Sequence, residues 1–304
     1  MSSLPLFVKK AFQKLANGEF DDGLKELNQD LWKDDRTDLA GPFCLGFPFV
    51  QGWGEELLVA SLLKRYSLDL GMPVKVFASC QVYSILKQDS AFQVFWREDN
   101  NKGRPPLAIL RQALTGKLLE KDFKPLEPEC QRSQQNRYRP RIGITWASIN
   151  NGNPIPEKSV DLDQFRNILH GLNGDFVVLQ RKLATGDAAN LTQALGARIV
   201  PNEVLDAKCQ SSLDALLAEI RQLDCLVTIS TTTAHIAAAL GIKVVLIAAQ
   251  RKGPQWFWDV QANHQKCFYP SVAVHVGKGK TNDWWKTCLE PARLSLSNII
   301  SMQC

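Results

Sequence analysis

Between Asp224 and Asp259 the chain reads DCLVTISTTTAHIAAALGIKVVLIAAQRKGPQWFWD. The apolar run Cys225 to Ile229 has the length and branching of a buried strand. Four small hydroxylated residues follow it, Ser230 to Thr233, and then an Ala-rich helical stretch that closes at Gly241. A second β-branched run, Val244 to Ala248, completes a strand-helix-strand unit. Such units belong to parallel sheets, where ligands gather at the carboxyl ends of the strands. The hydroxylated turn falls at that end. A helix N-terminus there presents unpaired backbone N–H groups and a partial positive charge, so the turn is read as an anion site suited to a diphosphate.

The rest of the chain repeats the alternation. Residues 4 to 32 read as two short helices separated by Asn17-Gly18, with Phe7, Ala11, Phe12 and Leu15 on one stripe. The pattern resembles a single tetratricopeptide unit, but stacking units need neighbours to bury their faces, so an N-terminal helical cap is the favoured reading. Pro42 to Val50 is an apolar run that ends in the loop Gln51-Gly52-Trp53-Gly54-Glu55-Glu56, ahead of a helix marked by Leu58, Leu62, Leu63 and Tyr66. Gly52 and Gly54 permit close backbone approach to a ligand, while Glu55 and Glu56 fall in a first helical turn, where carboxylates are common for electrostatic reasons alone. Strands are expected at Val74 to Ala78 and Phe92 to Phe95, with a helix between them at Val82 to Leu86. A Pro-, Gln- and Arg-rich stretch with one helical piece, Leu107 to Leu119, leads to a second alternation from Arg141. It comprises a strand at Ile142 to Trp146, a loop from Ala147 to Lys158, a helix carrying Phe165, Ile168, Leu169 and Leu172, a strand at Phe176 to Leu179 and a helix at Ala188 to Leu195. A helix capped at Ser211-Ser212 follows, and after the opening unit a last strand, Val272 to Val276, precedes a helical end from about Asp283. The expected division is an N-terminal helical cap (1–40), a first Rossmann-like domain (41–138) and a second (139–304).

Composition narrows the chemistry. A net charge of +5 over 304 residues, with the basic residues dispersed and not gathered into a block, favours anionic small ligands as much as nucleic acid. Eight cysteines without a CxxC pair, several of them inside apolar strands, argue against zinc and a disulfide framework. There is no signal-peptide pattern and no run of eighteen apolar residues, so a cytoplasmic setting is expected. A GxGxxG after a strand and a GxxxxGK[ST] are both absent, which removes the usual dinucleotide and P-loop classes. Asp161-Leu162-Asp163 spells DxD, but at a predicted helix start acidic residues are ordinary punctuation. His235, in the first turn after the Thr run, is placed either to donate to a phosphate oxygen or to fill the core. Trp256 and Trp258 suit an aromatic wall or a hydrophobic plug, and residue type favours the plug.

The segment from Asp224 through Ser230-Thr231-Thr232-Thr233-Ala234-His235 and Ala239-Leu240-Gly241 to Trp256-Phe257-Trp258 resembles the donor-site segment of heptosyltransferase-like enzymes (glycosyltransferase family 9) and of related bacterial tetratricopeptide-containing glycosyltransferases. Ile142 to Trp146 with the loop to Lys158-Ser159, Val177 to Gln180, and Gly52-Trp53-Gly54-Glu55 resemble further parts of that family. The resemblance implies a GT-B fold, in which two Rossmann-like domains with parallel sheets face a central cleft, and it implies sugar transfer from a nucleoside diphosphate-sugar to a hydroxyl acceptor without a metal or other cofactor. It places Glu55 as the general base and Lys158, Ser230, Thr231, Thr232, Thr233, His235, Trp146 and Gln180 around the donor. Gly52, Trp53 and Gly54 form the acceptor-side loop. Partners implied are a nucleotide-sugar and a glycan, lipid-linked glycan or protein acceptor; no nucleic-acid partner is expected, and weak peripheral membrane association is left open by the scattered basic residues. Two positions depart from the family pattern, Ser230 and Glu55, where the family carries Asp. The first removes a charge from the donor site, which also suits a catalytically degenerate binding protein of the same fold.

Overall fold

The computed structural model describes residues 5–31, 42–45, 52–97, 123, 125–126, 138–150, 153–183, 186–250, 255–263, 268–279 and 283–302. The helix expected at Leu107–Leu119 and the end of the apolar run at 46–50 lie outside these. The chain is α/β and divides into two compact units, Met1–Glu129 with Arg251–Pro270, and Cys130–Gln250 with Ser271–Cys304. Each is built on an all-parallel main sheet.

The first unit begins with the expected helix pair, α1 (Leu6–Ala16) and α2 (Phe20–Leu31). It continues through β1 (Phe43–Cys44), α3 (Trp53–Leu70), β2 (Val74–Ala78), α4 (Cys80–Leu86) and β3 (Phe92–Trp96), with the sheet in the order β1-β2-β3. Helix α3 is buried on nearly every side, from Leu57, Leu58 and Val59 to Leu62 and Leu63. Its polar residues are buried too and must be paired, because an uncompensated charge in a core is expensive. Lys64 meets Asp89 at 2.8 Å and the Pro125 carbonyl at 2.7 Å, and the Ser61 hydroxyl donates to the Leu57 carbonyl.

The second unit runs β4 (Arg141–Ile144), a two-residue hairpin of β5 (Ile149–Asn150) and β6 (Asn153–Pro154), then α5 (Leu162–Leu169), β7 (Asp175–Val178), α6 (Asp187–Leu195), β8 (Arg198–Ile199), α7 (Asn202–Leu205), α8 (Gln210–Arg221), β9 (Cys225–Ile229), α9 (Thr232–Ala239) and β10 (Lys243–Ala249). After α10 (Trp256–Asn263) the chain supplies β11 (Val272–Gly277) and α11 (Leu289–Ser301). The sheet order is β11-β10-β9-β4-β7-β8. Counted along the chain within this unit, that is the doubly wound 3-2-1-4-5-6 arrangement, whose connections diverge between β4 and β9 and open a crevice at their carboxyl ends. Strand β9 is buried at all five positions, which explains why its sequence is a continuous apolar run and not an alternating one.

Two local expectations need correction. The cap of α8 is Cys209, whose N–H donates to the Ser212 hydroxyl at 3.2 Å, so Ser212 serves as the third-position partner and not as the cap. Helix α10 is not among the elements expected from the sequence, and it groups with the first unit although it lies between two strands of the second. Trp256 and Trp258 are only 2% exposed and stack among Phe257, Phe268 and Tyr269, and α10 packs against α1. This is a plug: indole burial of this size stabilises whichever core receives it, and sequence alone does not name that core.

Candidate functional site

In the second unit the crevice is built from the ends of β4 and β9. Their register pairs Ile142 with Cys225 and Ile144 with Val227, which brings the next residues, Thr145 and Thr228, side by side. Their hydroxyls hydrogen-bond to each other inside the core, where Thr145 is 3% and Thr228 0% exposed. Thr228 also donates to the Ile229 carbonyl at 2.9 Å and lies 3.4 Å from the Thr231 hydroxyl. Thr231 is the N-cap of α9, in extended geometry, and its hydroxyl accepts the Ala234 N–H at 3.4 Å. The N–H groups of Thr232 and Thr233 precede the first intrahelical bonds and point out of the helix end with the positive pole of the dipole, whereas the Ala234 N–H is also held by the Thr231 carbonyl at 3.1 Å. Thr232 is exposed there, and Ser230, Thr231 and Thr233 are half-buried.

His235 takes the other of its two possible places. It is 4% exposed, and burial pushes its pKa down to about 3, so the ring is neutral near pH 7 and brings no positive charge to a bound anion.

The β4 loop is held by Gln180, at the end of β7. Its carbonyl oxygen accepts from the N–H groups of Trp146 (3.1 Å) and Ala147 (2.9 Å), and its amide donates to the carbonyls of Ala147 (3.0 Å) and Arg181 (2.9 Å). An amide has two donors and two acceptor sites, so all four are committed to backbone. Gln180 therefore shapes the loop. Trp146 is 5% exposed with its ring against Phe165, again a core position. The loop closes on itself through Val160 N–H to the Trp146 carbonyl (2.9 Å) and Ser159, which accepts from Ser148 N–H and donates to the Ile155 carbonyl. Lys158 ends a 3-10 turn (Pro156–Lys158) that packs against β10, and it is half-buried.

The loop before α3, in the first unit, has a different chemistry. Gly52 precedes the first helical residue, Trp53, and Glu55 folds back over it: a Cβ on Gly52 would sit 2.5 Å from Glu55 Oε2. That is the posture of a third-position Glu turned towards its own helix start. Gly54 is buried, while Trp53 and Glu55 are half-buried. Glu56 is 2% exposed and accepts from Ser79 N–H and the Arg97 guanidinium, each at 2.9 Å, tying α3 to the ends of β2 and β3. Tyr269, fully buried beside α3, has its phenol pKa raised well above the ordinary value chiefly by burial; a hydrogen bond with Ser61 opposes the shift and the Glu55 charge adds to it. Glu55 is thereby placed near an apolar, aromatic wall.

Asp161 caps α5, accepting from Asp163 N–H at 3.1 Å and Gln164 N–H at 3.3 Å, and Asp163 pairs with Arg166. Both DxD carboxylates are thus occupied in helix punctuation. Among the described residues no three His, Cys, Asp or Glu side chains gather as a metal site.

The structure thus brings Ser230 to Thr233 together with the loop clamped by Gln180 at one crevice, and turns His235 and Trp146 inward. The paired hydroxyls of Thr145 and Thr228 are inconspicuous in the sequence, where each looks like one more β-branched strand residue. No family model matches the chain, and no curated protein matches it. Among solved structures it is similar to the glycosyl transferase family 9 protein from Veillonella parvula DSM 2008, at 14% identity and a TM-score of 0.36, over 67% of this chain and 64% of that one. The match spans less than two thirds of that protein's length.

Proposed function

We propose that the chain is a GT-B glycosyltransferase that moves a sugar from a nucleoside diphosphate-sugar to a hydroxyl on a glycan, a lipopolysaccharide core or a protein, with no metal or other cofactor. The observation that carries the reading is the uncharged, hydroxyl-capped start of α9 at the point where the second sheet reverses its winding. The leaving diphosphate is stabilised there by the first-turn N–H groups, the Thr232 and Thr233 hydroxyls and Lys158, in the manner of an oxyanion site. Glu55 accepts the proton of the acceptor hydroxyl as the sugar carbon is attacked. A cytoplasmic setting with weak peripheral membrane association accompanies this reading; among the described residues no helix is long and apolar enough to cross a membrane.

Thermal shift with UDP, ADP and GDP tests the donor site, since a ligand at 100 times its Kd adds about 2.7 kcal/mol of stability. Glu55→Gln, assayed with a labelled donor, is expected to abolish transfer while leaving nucleotide affinity nearly intact; retained turnover removes Glu55 from the mechanism. A second reading, a non-catalytic nucleotide-sugar or glycan-binding protein, is favoured by Glu55 being folded over Gly52 and by Ser230 contributing no charge. Transfer or donor hydrolysis by the purified protein excludes it.

A further inference from the structure

The hydroxyls of Thr145, Thr228 and Thr231 form a chain from the core to the start of α9, and a count of their protons assigns each a direction. Thr228 has one hydroxyl proton, and it goes to the Ile229 carbonyl at 2.9 Å. Towards Thr145 and Thr231 the same oxygen must then accept, using its two lone pairs. The Thr231 proton is accordingly turned inward, and its outward lone pairs share the Ala234 N–H, at 3.4 Å, with the Thr231 carbonyl at 3.1 Å. A hydroxyl that donates in this way is a better acceptor, because successive hydrogen bonds polarise one another.

We propose that Thr228 is a positioning residue for the anion site, that it acts through Thr231, and that Thr231 caps the helix without donating to the ligand. Ligand contact then falls to the N–H groups of the first turn and to the Thr232 and Thr233 hydroxyls. This rests on the donor reading for its ligand but not for its geometry. The placement of Thr228 supports it independently. In a strand that is otherwise wholly apolar, a valine fills the same outline without the cost of burying a hydroxyl, so the oxygen is there for its hydrogen bonds.

The test compares Thr228→Val with Thr228→Ser, which keeps the oxygen, and reads backbone amide exchange together with binding of UDP, ADP and GDP. Loss of the cap is worth roughly a fivefold change. Thr228→Val is expected to speed exchange of the Ala234 amide by about that factor and to weaken nucleotide binding at least as much, with α8 amides unchanged as evidence of an intact fold and with Thr228→Ser restoring both. If Thr228→Val does not fold, Thr228→Ala, which also removes the oxygen, is read in the same way. Unchanged Ala234 exchange overturns the proposal, as does a serine variant that behaves like valine, or a nucleotide affinity indifferent to Thr228. If the wild-type protein binds none of the three nucleotides, the donor reading fails and amide exchange alone decides the role of Thr228.

Discussion

Two helices, α3 in the first unit and α9 in the second, begin at glycine- or threonine-rich loops after a strand, and the two beginnings are chemically opposite. Helix α3 opens on Gly52 with Glu55 turned back over its positive end, while the Glu56 carboxylate is held by Ser79 and Arg97. Helix α9 opens on neutral hydroxyls, with the cap supported from below by Thr228. A start filled by its own carboxylate repels phosphate; a start lined with hydroxyls leaves the dipole for an incoming anion. The same secondary structure thus gives two chemically different helix ends, which the proposed function assigns to the base in one unit and to the diphosphate in the other.

The largest expected effect that breaks this contrast comes from Glu56, the carboxylate at α3 that is structural. Glu56→Gln leaves the Arg97 guanidinium without its counter-charge, and chemical denaturation should show a loss of about 3 kcal/mol, discounted towards 2 because Arg97 is partly exposed. An unchanged midpoint would make the pair ornamental. Next is His235. Its pKa lies at about 3 in the folded chain against 6.5 when free, so unfolding takes up a proton below pH 6.5. Stability is whole above that pH and declines by about 1.4 kcal/mol per pH unit as acid is added, until the folded pKa is reached. His235→Gln should flatten that slope in urea titrations at pH 7, 6 and 5, and an equally steep slope would assign the acid sensitivity elsewhere. Thr231→Ala should cost about 1 kcal/mol, the value of a helix cap, with Thr231→Ser nearly neutral. Smallest is Gly52→Ala: the new methyl displaces only the flexible end of Glu55, so melting should shift by less than about 1 kcal/mol, while turnover falls if Glu55 is the base.

Most of the second unit is legible from sequence because each strand is a short branched apolar run and each helix carries a spaced apolar face. Residues 141–144, 175–178 and 225–229 need no tertiary information to be read as strands. What escapes depends on partners far along the chain. Gln180 is expected at the donor only through the resemblance of Val177 to Gln180 to a family strand; the fold shows that four backbone groups hold its amide. His235 lies three residues past the exposed Thr232, and every residue from Ala234 to Ala239 is buried, so the helix enters the core on all sides directly after Thr233 and leaves no polar face for the ring. Thr145 and Thr228 acquire meaning only from the register that pairs β4 with β9.

Helix α10 also bears on the order of events during synthesis. The first unit buries Trp256, Trp258 and Tyr269, which leave the ribosome after both β9 and β10 have been made. Domains made from one continuous stretch close as they emerge, amino end first. Here the amino-terminal unit waits, its aromatic filling absent until nearly all of the chain has been translated, and the carboxyl-terminal sheet is then short of one strand, β11. A gene cut anywhere between the two units would sever at least one of them from a piece of itself.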